Sequence, residues 1–295
     1  MSRKRTVLGS FLCLLLCYVI WGMQPLYWAT LTDFDTMFVM CVRAVTAMAF
    51  TWLYLIAAGR FKDIVNTVKN KELMKLLVPA SVFLCADWTL FILAVSHGHV
   101  LDTSLGYYFN PLVMFLVGVF FFKEKSDRLE FIAIGIACAG IVIATLKSSA
   151  FPLLSLCFAV IWPVYATIKK LANTDPLISF AVETALMTPF AIAAMLIFYR
   201  GGSGLASVDG SNILLLIGSG IVTALPMILY NLVVNALPFK VIGVTQYLSS
   251  TISFLCGILF MNETVTGEKL VMFSFVWVGL ILFTVGNFRK EKQLS

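Results

Sequence analysis

What this sequence has little of is charge. Only 12% of its 295 residues are Asp, Glu, Lys or Arg, while 60% are apolar; soluble domains carry about 25% and about 45–50%. That leaves too little polar surface to coat a globule in water, which excludes a soluble enzyme, a nucleic-acid-binding domain, a disordered chain and a coiled coil. Histidine is scarcer still, with two residues, and the seven cysteines all fall in apolar runs without a Cys-x-x-Cys pair or a Cys/His ligand spacing. They read as small buried hydrophobes rather than disulfides or metal ligands, so neither a metal nor another cofactor is expected. No glycine-rich phosphate loop is present, which argues against nucleotide as a partner or energy source. A polytopic membrane protein, with the lipid bilayer as its first partner, is the class that remains.

What is there instead is a succession of apolar stretches. Charged or turn-rich breaks separate ten of them, at about 8–29, 36–58, 74–96, 100–122, 129–146, 152–170, 176–198, 211–236, 240–261 and 269–287. Each approaches the roughly 20 residues that one helical crossing needs. The first follows Arg3-Lys4-Arg5 without a small-residue cleavage site, so it reads as a transmembrane helix and not a signal peptide. The longest connection, Gly59–Leu73, has room for a short interfacial helix. The expected fold is an all-α integral membrane protein of ten transmembrane helices.

The net charge of +6 then acquires a topological meaning. With alternating crossings, seventeen basic residues fall on one side, Lys169, Lys170 and Lys240 among them, and three, Lys147, Arg200 and Lys269, on the other. Arg43, inside a span, completes the 21. Cytoplasmic loops keep positive charge, so both termini are expected in the cytoplasm. The charge is no footprint for nucleic acid.

Sliding the chain on itself reveals a weak duplication. At a lag of 139, Tyr108 meets Tyr247, Gly118 meets Gly257, Glu124 meets Glu263 and Gly140 meets Gly279; at 141, Ile20-Trp21 meets Ile161-Trp162. The expected repeats are residues 1–147 and 148–295, each with five spans. An odd number turns the second copy over in the membrane, and inverted repeats are the mark of secondary transporters with a site near midplane.

Three ionisable residues lie well inside spans: Arg43, Asp87 and Glu183. Each costs roughly 2.5–3.5 kcal/mol at a helix centre, so each needs a partner or a watery cavity. At about 1.5 Å per residue, Arg43 and Asp87 lie roughly 11 and 14 Å below the outer face, at compatible depth to pair. Two readings of Arg43 stand open: an anchor for an anionic substrate group, or half of a structural ion pair with Asp87. Asp87 and Glu183, together with Asp102 at the mouth of the fourth span, are the candidates for proton coupling.

The fourth span contains Gly106-Tyr107-Tyr108-Phe109-Asn110-Pro111. Proline removes a backbone donor and frees a carbonyl, which is tolerated in a membrane only beside protein or a cavity. Tyr107, Tyr108 and Asn110, with Gln246 from the ninth span, are the expected substrate contacts beside Arg43 and Asp87. Trp21, Trp162, Tyr165, Tyr230, Asn231 and Tyr247 are further candidates for cavity lining, the alternative being packing between helices. The third outer loop, His97-Gly98-His99-Val100-Leu101-Asp102, supports a proton-sensitive gate or a solvated mouth. It is also what a rival reading would use, an intramembrane lipid-modifying enzyme with an outer-face His/Asp cluster.

Tyr18-Val19-Ile20-Trp21-Gly22, Arg43, Asp87-Trp88-Thr89-Leu90-Phe91-Ile92, Leu105–Leu112, Gly220–Thr223, Gln246-Tyr247 and Phe273–Trp277 carry a resemblance to a known family. Taken together they resemble the RarD-type branch of the EamA proteins in the drug/metabolite transporter superfamily. The resemblance spans nearly the whole chain, and an acidic residue at 102 agrees with it. One departure is Gly-Tyr-Tyr-Phe-Asn-Pro in place of Gly-Tyr-Phe-Ile-Asn-Pro. The resemblance implies ten helices in two inverted five-helix repeats around a central cavity, with the fifth and tenth peripheral. It also implies export or exchange of small metabolites or drug-like solutes across a bacterial inner membrane. The sequence-level conclusion is a secondary transporter working by alternating access on a small-molecule substrate, with protons as candidate coupling ion.

Overall fold

The computed structural model describes residues 2–31, 34–96, 100–147, 153–198, 210–261 and 267–294, and no strand occurs among them. The helices are α1 (Ser2–Trp28), α2 (Thr36–Ala57), α3 (Phe61–Lys69), α4 (Lys71–Ser96), α5 (Val100–Leu116) and α6 (Arg128–Lys147). They continue with α7 (Leu153–Ala172), α8 (Pro176–Phe198), α9 (Gly210–Val233), α10 (Phe239–Thr245), α11 (Tyr247–Phe260) and α12 (Gly267–Leu294). Every apolar stretch of the sequence falls on one of these helices or a pair of them. Among the described residues, six helical segments are long and apolar enough to cross a membrane, and two shorter apolar ones, Tyr107–Phe121 and Leu270–Gly286, join them.

Local chemistry sets the helix ends. Asp35 opens α2 by accepting the N–H groups of Met37 and Phe38 at 2.9 and 3.1 Å. Asp175 opens α8 in the same way through Leu177 and Ile178, at 3.0 and 3.1 Å. A side-chain oxygen here satisfies donors that the first helical turn leaves unpaired. The short α3 occupies the long connection between α2 and α4, and Arg60 just before it bridges Asp63 and Asp175, both at 3.0 Å.

Packing partners come in matching sets. Helix α5 packs on α7 as α1 packs on α11; α4 on α7 as α1 on α9; α4 on α8 as α2 on α9. Exchanging the first half of the chain for the second turns each contact of a pair into the other. Helices α6 and α12 pack on each other, brought close by Gly140 and Gly279. A Cβ at Gly140 would lie 2.4 Å from Phe275 Cβ, and one at Gly279 would lie 2.6 Å from the Ala133 carbonyl oxygen. Aliphatic and aromatic side chains such as Leu53, Phe190, Leu214 and Leu259 point outward on helical surfaces. Polar groups such as Asp87, Glu130, Lys169, Glu183 and Lys240 are buried. This is the reverse of a soluble protein and the arrangement a bilayer selects.

The connections α2–α3, α5–α6, α7–α8 and α9–α10 gather at one end of the bundle, as the Arg60–Asp175 bridge and the contacts of Lys240 with Lys125 and Ser126 show. Two of the basic residues counted on that side, Lys169 and Lys240, are 3% and 5% exposed. They pair with Glu183 at 2.6 Å and Glu130 at 2.7 Å. Sequence position puts them at loop borders; the buried carboxylates opposite draw them inward.

Candidate functional site

A cavity of about 370 Å³ is lined by Trp21, Gln24, Pro25 and Trp28 of α1, Met40 and Arg43 of α2, Asp87 and Trp88 of α4, Tyr107 and Tyr108 of α5, and Trp162 of α7. Thr223 and Met227 of α9 and Gln246, Ser249, Ser250 and Ser253 around α11 complete it. Both halves of the chain contribute. The α1 residues come from the last turns of their helix and those of α2 and α5 from the early turns of theirs. The cavity therefore belongs to the half of the bundle away from the gathered loops.

Helix irregularities shape this space. Pro226 leaves the Val222 carbonyl without its helical donor, and Gln24 Nε2 supplies one from α1 at 2.9 Å. Span nine is divided into α10 and α11 at Gln246, which presents its side chain to the cavity at the break. Trp21, Gln24 and Trp28 share one face of α1, and Gln246, Ser249 or Ser250, and Ser253 share one face across the break, at helical spacings.

Arg43 is held by rings. Its guanidinium carbon lies 4.3 Å from the centroid of Trp88 and 5.2 Å from that of Trp28. Nη1 meets Met40 Sδ at 3.4 Å, and the buried Nε has no hydrogen-bond partner. The ion pairs among the described residues do not include Arg43 with Asp87. The structural ion pair considered from the sequence is thus absent: matched depth does not bring the two groups within 4 Å, and indole faces supply Arg43 with its counterpart. Asp87 is 5% exposed; its Oδ2 accepts the Tyr107 hydroxyl at 3.5 Å, while Oδ1 is unpartnered. Thr223 Oγ1, Gln246 Oε1 and Trp162 Nε1, all on the cavity, are likewise unpartnered. The result is a pocket that offers a cation, a carboxylate oxygen and several neutral polar groups on an aromatic wall, suited to a small amphipathic solute.

The floor consists of rings. Trp21 and Trp162 meet edge to face at 5.4 Å, and Tyr230 packs on both at 5.5 and 5.3 Å. Beneath them Tyr18 and Tyr165 are fully buried. Tyr165 donates to Glu183 Oε2 at 3.1 Å, and the other Glu183 oxygen takes Lys169, whose ammonium also reaches Ser179 Oγ. A second depression, between α2 and α8 around Trp52 and Pro189, is open and apolar and lies on the outward surface away from Arg43.

A model of the EamA-like transporter family matches residues 8–146. The chain is 32% identical to an uncharacterized transporter of Bacillus subtilis, YojE, over 93% of each protein. The chain belongs to the EamA-like transporter family. Within that family it is of the RarD type: it is 30% identical to the protein RarD of Streptomyces exfoliatus, over 94% of this chain and 88% of that one. With RarD of Escherichia coli it shares 26% of residues over the full length of both. A solved crystal structure, 17% identical, matches with a TM-score of 0.71 over 94% of this chain and 98% of its own, and shows the same fold. The EamA-family chain is a multi-pass membrane transporter.

Of the residues expected to contact substrate in this EamA protein, Arg43, Asp87, Tyr107, Tyr108 and Gln246 lie around one cavity, with Trp21 and Trp162 as its floor. Asn110 does not line it; the residue is fully buried and neither amide atom has a partner. Tyr165, Tyr230 and Tyr247 are buried in the packing below and beside it, and Asn231 is 3% exposed. Glu183 is engaged by Lys169 and lies outside the lining. His97 and His99 lie outside the described residues; Asp102 belongs to α5, its side chain outside the described part. Among the described residues no group of three His, Cys, Asp or Glu is placed to hold a metal. Sequence reading passed over Gln24, Trp28 and Ser253 as lining, although their helical spacing from Trp21 and Gln246 was a usable signal.

Proposed function

We propose that this EamA-family protein is a secondary transporter that exports or exchanges a small solute carrying an anionic group across the bacterial inner membrane by alternating access. Ten helices cross the bilayer as two inverted repeats, 1–147 and 148–295, with both termini cytoplasmic. The matching sets of packing partners and the asymmetry of Lys and Arg support this arrangement. At about 30 Å³ per water-sized group, the cavity takes a solute of roughly a dozen non-hydrogen atoms.

The observation that carries the reading is Arg43. A guanidinium set against two indole faces, bridged by no carboxylate among the described residues and facing a cavity, has donors to offer a ligand. Asp87, with one oxygen unpartnered, is the coupling acid in this reading. Trp21, Trp162, Tyr107, Tyr108, Gln246 and the serines of α11 hold the body of the solute. Reconstitution into liposomes and a counterflow screen of small metabolites tests the proposal. Exchange of an anionic solute, lost in Arg43→Gln, is expected; exchange of no solute at all overturns it.

A further inference from the structure

Below the aromatic floor, the two halves of the chain are tied together by charge. Lys240 is the second residue of α10, and every partner of its ammonium comes from the first half: Glu130 Oε2 at 2.7 Å, Lys125 O at 2.6 Å and Ser126 Oγ at 3.1 Å. Glu124 adds a second tie, its carboxylate accepting the main-chain N–H of Phe239 and, at 2.9 Å, that of Lys240. Lys240 and Glu130 are 5% and 0% exposed. Tyr18 OH to Ile242 O, at 2.8 Å, ties α1 to α10 beside them.

The backbone is shaped for this contact. Helix α5 runs into a π-helical segment, Val117–Phe121, and Lys123 takes a left-handed conformation with φ 57°. That turn aims Glu124, whose N–H returns to the Gly118 carbonyl at 3.0 Å, at the start of α10. A Cβ on Gly118 would lie 2.8 Å from both Glu124 Oε2 and the Lys240 nitrogen, so no side chain fits while the contact is made. π-Segments of helices are found frequently at functional sites.

We infer that Lys240, Glu124 and Glu130 are a charge latch that closes the transport path at the loop-bearing, cytoplasmic end, and that the structure is the state open to the opposite side. The inference rests on the alternating-access reading above. An ion pair buried in a dry site is a poor source of stability, since apolar groups of the same volume serve as well or better. Its advantage lies in the opened state. An apolar seal pulled apart exposes its surface to water and is penalised there, whereas a separated ammonium and carboxylate are rehydrated. The latch thus has two acceptable arrangements, paired and dry or parted and wet, as a gate between packed halves requires.

The test uses full-length protein without its native cysteines, with single cysteines at Ile242→Cys near the latch and Ser250→Cys in the cavity. An impermeant maleimide is applied to inverted vesicles for the first and to intact cells for the second. The double variant K240M/E130Q removes both charges and strands neither, which guards folding; G118A pushes the latch apart without touching charge. Each is expected to raise labelling of position 242 several-fold and to lower that of position 250. Unchanged labelling at both positions, or a rise at both, overturns the latch. Counterflow on the same proteins separates the two claims: exchange retained with unaltered labelling overturns the latch alone, and exchange absent from the unmodified protein overturns transport.

Discussion

The Tyr247 hydroxyl donates to the main-chain carbonyl of Tyr108 at 3.2 Å, and the two tyrosines stand 139 residues apart, at the same place in each half of the sequence. Pro111, three residues further along the same helix, lacks the N–H that would reach the Tyr107 carbonyl, so the helix is already loosened beside this contact. One tyrosine of the pair has its ring on the cavity, and the other is buried beside α12. Tyr247→Phe is expected to destabilise the protein by about 0.6 kcal/mol, the usual worth of a hydrogen bond between helices in a membrane. Thermal unfolding in detergent measures this, and counterflow should change little. A collapse of counterflow with normal stability would move Tyr247 into the binding machinery.

Arg43→Lys keeps the charge but not the flat face that stacks between Trp28 and Trp88. A desolvated cation–π contact is worth about 2 kcal/mol, so an apparent affinity loss of roughly tenfold or more is expected for an anionic solute. Trp88→Leu should produce a loss of the same kind with the arginine intact. Concentration dependence of counterflow reads both. An unaltered half-saturation concentration in both variants is incompatible with a positioning role for the rings.

Asp87→Asn keeps the shape of the site and removes the titrating group. Solute movement driven by an imposed pH gradient should fall to background, while counterflow at equal pH persists. Persistent pH-driven movement would take the coupling role away from Asp87.

Glu183→Gln strands the Lys169 ammonium in a buried site, for which about 3–5 kcal/mol of destabilisation is expected. Adding Lys169→Met should restore most of that stability. Unfolding midpoints of the single and double variants provide the comparison. Equal losses in both would mean that Tyr165 and Ser179, not the charge balance, decide the stability of the cluster.

Much of the architecture was legible because membranes impose simple rules. Apolar length located the helices, and the break at Gly59–Leu73 foretold α3. Rarity of charge pointed to Arg43 and Asp87, and a proline beside aromatic residues pointed to Tyr107 and Tyr108. Asn110 shows the limit of that logic: it is three residues from Tyr107 and so on the same side of the helix, yet it is fully buried and outside the lining, because neighbouring helices and not helical spacing decide where the cavity ends. The burial of Lys169 and Lys240 was not legible for another reason. Their partners, Glu183 and Glu130, stand in other helices, and only the packing of the bundle brings the charges together. Seven residues from Trp21, Trp28 was legible as a lining residue; its contact with the Arg43 guanidinium runs between two helices, and no spacing within one helix announces that part of its role.

The edge-to-face meeting of Trp21 and Trp162 bears on a membrane that holds a voltage. A charge crossing the bilayer experiences about 2.3 kcal/mol per 100 mV, and a water-filled thread beneath the cavity would let ions use it. Indoles and a phenol packed edge to face and at a tilt are poor ligands for a hydrated ion. In the alternating-access reading proposed above, that floor is also the insulation of the pathway, and a smaller residue at either tryptophan is expected to turn a carrier toward a leak.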